Sequence, residues 1–172
     1  MKRLTFPTAS LFFITACTSG VETRVLSHGI ANPIAAPFMI STVAETSNDL
    51  RTAYTLVAKN MVAKGFTLAK DAPLHLEITL DAREANLALG STNGLLSSAK
   101  KPKPLQSCID KEYRLGVTLT RVADGVEIYK GRAAEYHCNM PIKEALPILV
   151  NAALADLGKP RGNYVLKRQA RD

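Results

Sequence analysis

The spacing of apolar residues divides the chain into segments of two periods. Leu74, Leu76, Ile78 and Leu80 alternate with His75, Glu77, Thr79 and Asp81. Period two wets one face of a strand and buries the other. Tyr113, Leu115, Val117 and Leu119 repeat the pattern, and Val126-Glu127-Ile128-Tyr129 opens a return strand to about Tyr136. Between them, Asp124-Gly125 is a two-residue type I′ turn signal, which sets Tyr129 opposite Thr120. Leu50, Ala53, Tyr54, Val57, Met61 and Val62 recur every three or four residues, as one face of a helix does. Ser47-Asn48-Asp49 offers N-caps to that helix and Gly65 closes it. Leu146, Leu149, Val150, Ala153, Leu154 and Leu157 predict a second helix. Its regular part starts near Glu144, because Pro147 fits a first turn, and Gly158 and Pro160 end it.

Weaker signals complete the order. Residues 23–28 predict an edge strand, 38–43 a second strand and 163–166 a short last strand, with a polar tail behind it. Residues 86–107, rich in Gly, Ser, Asn and Pro, predict a long loop. Loops of that length inside a domain are usually functional or disordered. The sum is β-β-α-β-β-β-α-β. This is an α+β two-layer sandwich, with two helices on one face of a mostly antiparallel sheet. The first strand-helix-strand unit is expected to be right-handed.

The start of the chain changes the picture. Met1-Lys2-Arg3 is basic, and 4–16 is mostly apolar but too short to span a bilayer. The run ends in Ile14-Thr15-Ala16-Cys17, which resembles the lipobox of bacterial lipoproteins. That resemblance implies cleavage before Cys17 and acylation of its thiol. Two or more chains anchor stably where one does not. Residue 18 is Thr rather than Asp, which in enteric lipoproteins implies export to the outer membrane. The expected division is a signal peptide over 1–16 and a tether over 17–22. One domain over 23–168 and a tail over 169–172 follow. The net charge is +7, and +5 once Lys2 and Arg3 are removed. This is a modest basic tilt, compatible with anionic headgroups and no indication of nucleic acid.

The remaining cysteines, Cys108 and Cys138, fall at the open end of the hairpin. The assumed turn sets Cys138 opposite Lys111, so Cys108 lies three residues from register. An even pair in an oxidising compartment predicts a disulfide, worth about 3–4 kcal/mol by chain entropy.

The mature chain resembles a group of small bacterial envelope lipoproteins of unknown function. The matching segments are Thr23-Arg24-Val25, Leu50 to Tyr54 leading into Lys64-Gly65-Phe66, and the hairpin from Leu119 to Ala133. Arg161-Gly162-Asn163-Tyr164-Val165 also matches. The aromatic after the turn, typically Trp in that group, is Tyr129 here. The resemblance implies a periplasmic α/β domain and supplies no catalytic residues. The architecture is also similar to the small lipoprotein partner of the lipopolysaccharide translocon.

Catalytic patterns are weak. His137 and Cys138 are strand neighbours that point to opposite faces, so they form no nucleophile-base pair. Glu77 and Asp81 share a face but lie about 13 Å apart, beyond the roughly 5–9.5 Å of glycosidase carboxylates. Gly90-Ser91-Thr92-Asn93-Gly94 carries Thr where a nucleophile elbow needs its nucleophile. No phosphate loop, zinc spacing or dinucleotide fingerprint occurs. The expectation is a non-catalytic binding or assembly module that needs no metal or cofactor. It is tethered to the membrane through Cys17 on the periplasmic side of the outer membrane, with an envelope protein as partner. The candidate interaction surface is the long loop, with Leu87, Leu89, Leu95 and Leu96 as its apolar part and Lys100, Lys101 and Lys103 as its basic part. Two alternatives are an apolar-ligand or lipid-handling role, with those leucines as a lid, and a hydrolase centred on His75.

Overall fold

The computed structural model describes residues 20–33, 35–41, 46–91, 94–97, 99–101 and 107–169, with side-chain burial described outside 89–98. The expected leader, Cys17, Lys103 and part of the expected second strand lie outside these residues. In chain order the elements are β1 (Gly20–Gly29), β2 (Pro37–Ile40), α1 (Asn48–Ala63), β3 (Thr67–Leu68), β4 (Leu74–Glu84), β5 (Leu89–Ser91) and β6 (Gly94–Ser97). Then come β7 (Lys111–Arg121), β8 (Glu127–His137), α2 (Ile142–Leu154) and β9 (Gly162–Gln169).

The main sheet has seven strands in the order β3-β2-β4-β7-β8-β1-β9. The pairs β4–β7, β7–β8, β8–β1 and β1–β9 are antiparallel, and β2 pairs with β3 and β4 in parallel. The α+β two-layer class expected from the periodicity is therefore the observed one. Leu76 and Ile78 of β4, Leu115, Val117 and Leu119 of β7, and Tyr129 and Ala133 of β8 form the buried face. Ala53, Val57 and Met61 of α1, with Leu146, Leu149, Ala153 and Leu154 of α2, close over it. The Ser47 side chain caps α1 by accepting from the Leu50 amide at 3.3 Å.

Four expectations are corrected. The hairpin is not closed by a two-residue turn: Val122 to Val126 link the strands, and a bulge falls between Leu119 and Thr120. Arg121 N donates to Val126 O and Gly125 N to Arg121 O, with Gly125 at φ +69°. Tyr129 therefore faces Leu119, not Thr120. The shift of one residue turns odd-numbered side chains of both strands to the same face.

Second, α2 begins at Ile142 and holds Pro147 in its interior. The missing amide leaves the Lys143 carbonyl without its helical donor, and both residues are exposed to solvent. Third, β1 starts at Gly20 and β9 runs to Gln169, because each pairs with the other along its length. Residues 20–22 are strand rather than tether, and 167–169 are strand rather than tail. Fourth, the long loop contains the β5–β6 hairpin.

Gly131 of β8 sets how closely α2 approaches. A Cβ at this position would overlap the Ala153 carbonyl oxygen and lie 2.7 Å from the Tyr129 hydroxyl. That hydroxyl donates to the same carbonyl at 2.6 Å. Burial raises the Tyr129 pKa, and Asp156 raises it further, so the phenol keeps the proton it donates. We expect Gly131→Ala to destabilise the domain by about 1–3 kcal/mol, read as a lowered urea midpoint with an unchanged slope. A midpoint equal to the wild type would contradict this packing.

Candidate functional site: the loop end of the sheet

The antiparallel register gathers five strand ends at one end of the sheet. These are the starts of β1 and β7 and the ends of β4, β8 and β9. The long loop joins β4 to β7 at this end, and Cys108 and Cys138 are disulfide-bonded there with Cα atoms 5.7 Å apart. Two buried carboxylates lie beneath it, one on each face.

On the helix face, Glu135 is fully buried. Thr23 of β1 donates to Oε1, Arg168 of β9 donates to Oε2 at 2.9 Å, and His137 Nε2 lies 2.7 Å from Oε2. Burial works against the charge on Glu135. The hydrogen bonds from His137, Arg168 and Thr23 outweigh it and hold the carboxyl at about 2, below its ordinary 4.5. His137 stacks on Tyr113 with centroids 5.5 Å apart, and the Tyr113 hydroxyl donates to Met140 O at 2.8 Å, just before α2.

On the opposite, otherwise wet face, Glu112 is 1% exposed. Arg24 of β1, Arg83 of β4 and Arg114 of β7 all pair with it, Arg114 at 2.7 Å. Burial raises the Glu112 pKa, and the bonds from Arg114 and Arg24 lower it by more, so the net direction is down. The chain after β4 covers this cluster. Ala85 N donates to Asp110 O at 2.8 Å, Lys100 N to Ala85 O at 2.7 Å, and Arg83 to Leu87 O. Tyr136 lies between two cations, with the Arg24 guanidinium 4.3 Å and the Lys100 ammonium 4.5 Å from its ring centroid. Lys100 also pairs with Asp110.

These contacts redistribute the roles expected of the loop. Lys100 is a packed, ion-paired residue of the cluster rather than part of an exposed basic stretch. Leu87 and Lys101 are exposed. Leu89 lies in β5, and Leu95 and Leu96 lie in β6. A pocket of about 260 Å³ lies within the connection between β4 and β7, lined by Asn86, Lys100, Ser107, Ile109 and Asp110 among others.

His75, Glu77 and Asp81 share the open face; His75 lies at the far end of β4, with Nε2 2.8 Å from Ser41 Oγ, whereas Asp81 stands opposite Arg114. His137 has a carboxylate partner, but its side chain is only 4% exposed, so no substrate reaches it. Among the described residues no group of three or more His, Cys, Asp or Glu could hold a metal ion.

Sequence reasoning missed Glu112, Glu135, Arg24, Arg83, Arg114 and Arg168. In strands that alternate, a charged residue reads as solvated, and the signal against that was faint. Glu135 shares the parity of Tyr129 and Ala133, and the corrected turn puts that parity on the buried face with Tyr113, Leu115 and Leu119.

No family model and no curated protein matches the sequence. Solved structures share the arrangement. The PelC dodecamer from Paraburkholderia phytofirmans superposes with a TM-score of 0.51 at 14% identity, over 77% of this chain and 97% of that one. A PDZ domain protein from Parabacteroides distasonis gives 0.57 at 14% identity, over 86% of this chain and 39% of that one. A minor lipoprotein from Acinetobacter baumannii gives 0.35 at 15% identity, over 72% and 86%. At such identities the first two likenesses are of fold alone, and the third is too distant to carry an argument.

The Glu135 cluster predicts a defined acid response. Its carboxyl is depressed in the fold, so its contribution is complete above the unfolded value near 4.5 and is lost as pH falls towards 2. The loss amounts to about 3 kcal/mol at full protonation. Glu135→Gln should lower stability at pH 7 by about 3–5 kcal/mol and flatten the decline between pH 4.5 and 2. Urea melts across that range check both. An equally steep decline in the variant would assign the acid sensitivity elsewhere.

Proposed function

We propose that this chain is a lipid-anchored, non-catalytic accessory module of the cell envelope, tethered through Cys17 on the periplasmic side of the outer membrane. The observation that carries the reading is Ile14-Thr15-Ala16-Cys17, placed three residues before a folded domain that begins at Gly20. The Cys108–Cys138 bond supports an oxidising compartment. Among the described residues no helix is long and apolar enough to cross a membrane.

The binding role is supported by how the charges are used. The buried ionisable clusters tie strands together, while β9 forms an edge of the sheet with Val165 and Leu166 exposed. An edge strand with exposed apolar side chains accepts an added strand from a partner. The lipid-handling alternative rests on the leucine-bearing hairpin across the same end. Cys17→Ala is expected to abolish palmitate incorporation and release the protein from the membrane fraction, or leave it uncleaved. Wild-type protein that takes up no palmitate would overturn the anchor.

One observation favours a second reading, that of a hydrolase. Ser41 and His75 are within hydrogen-bonding distance on an exposed face and have the chemistry of a nucleophile and its base. In the accessory reading this pair is inert, and a fluorophosphonate probe leaves Ser41 unlabelled. Labelling lost in both Ser41→Ala and His75→Ala would move the function to hydrolysis.

A further inference from the structure

We infer that the loop end of the sheet, with Leu87 and Ile109 at its surface, is seated on the anionic headgroups of the bilayer, so that the sheet stands on the membrane. The inference rests on acylation of Cys17 and adds a direction to it. Two residues, Thr18 and Ser19, separate Cys17 from Gly20, and three chain steps limit their distance to about 10 Å. Gly20 pairs with Gln169, so the acylated residue is held close to the ends of β1 and β9. The register brings the start of β7, the end of β8 and the long loop to the same end. β1, of ten residues, carries the chain away over about 30 Å, so the opposite turn around Asp124-Gly125 lies far outside the tether's reach.

The chemistry of this end fits that contact. Leu87 and Ile109 are 55% and 56% exposed. Lys101, Lys111 and Lys167 are exposed at the same end, with Glu84 opposite Lys111 and Glu22 paired with Lys167 at 3.4 Å. The three arginines on Glu112 keep this end net basic. Attraction of lysines to anionic lipid acts within about 8 Å at physiological salt, and the tether holds this end at that range. The far end also exposes apolar residues, Val122 and Val126, but β1 sets them about 30 Å from the tethered end. Apolar side chains with a basic rim, fixed at the height of the headgroups, are the components of an interfacial contact.

The chain contains no Trp, so single-Trp variants report depth directly. Acylated Leu87→Trp, Ile109→Trp and Val126→Trp proteins, purified from membranes, are reconstituted into phosphatidylethanolamine–phosphatidylglycerol vesicles carrying brominated acyl chains. Leu87→Trp and Ile109→Trp are expected to lose most of their fluorescence and shift to the blue, while Val126→Trp keeps both intensity and wavelength. Adding Lys101→Glu and Lys111→Glu should weaken the quenching, and so should replacing the anionic lipid by phosphatidylcholine. Co-flotation with no more quenching at Leu87→Trp and Ile109→Trp than at Val126→Trp overturns the seating and leaves the anchor intact. Equal and strong quenching at all three means that the domain lies flat, and also overturns it. Protein that fails to float with the vesicles overturns the anchor and the seating together.

Discussion

A carboxylate taken out of water must find its hydrogen bonds inside the fold, and two such groups organise the loop end of this domain. Glu112 and Glu135 project from neighbouring strands to opposite faces of the sheet, yet each recruits partners from three strands. Glu135 joins β1, β8 and β9 through Thr23, His137 and Arg168. Glu112 joins β1, β4 and β7 through Arg24, Arg83 and Arg114. Such clusters are poor sources of net stability, because desolvation offsets much of the Coulomb attraction. Their consequence is geometric. Losing one partner strands a buried charge, so the strands that carry the partners stay in register.

That constraint explains two departures from simple patterning. β9 extends through Lys167 and Arg168, residues that read as a polar tail, because Arg168 completes the Glu135 site while the backbone pairs with β1. The first part of the long loop folds back on the sheet because Glu112 lies on a face that no helix covers. Loop contacts from Ala85, Lys100 and Asp110 help to exclude water from its surroundings. The disulfide then closes a sequence separation of 30 residues at the same place. The loop end is thereby the most cross-linked part of the sheet, although the sequence there is rich in loop-forming residues.

Local pattern was enough for the elements with strong periodicity. The alternation in β4 and β7, the return strand β8, the Ser47-capped α1 and the apolar face of α2 were all legible, and with them the two-layer class. Register was not. Asp124-Gly125 looked like a two-residue turn, whereas the Arg121–Asp124 pair and the Asp124 cap on Val126 support a longer connection. One residue of error reverses which side chains face the core, and it disguised Glu135 as solvated. Arg24 and Glu112 lie 88 residues apart and Thr23 and Glu135 lie 112 apart, so no window of sequence contains either pair. The end strands were underestimated for a related reason, since β1 and β9 gain much of their order from each other.

The two clusters also separate charges that hold the fold from charges available for contact. By composition alone, Lys100 and Lys101 are equivalent neighbours in a basic stretch. In the fold, Lys100 pairs with Asp110 and stacks on Tyr136, whereas Lys101 is exposed. The same division runs along β9, where Arg168 turns in to Glu135 and Lys167 turns out, its side chain 78% exposed and paired at the surface with Glu22. Alternation in a strand enforces this, because consecutive residues cannot face the same way. A residue that turns in fixes the height and direction of the one that turns out. Leu87 is held in a comparable way, since Arg83, committed to Glu112, also donates to the Leu87 carbonyl. The apolar side chain is thus displayed from a backbone pinned by a buried ion pair. A side chain displayed from a pinned backbone has little ordering entropy left to lose when it is covered.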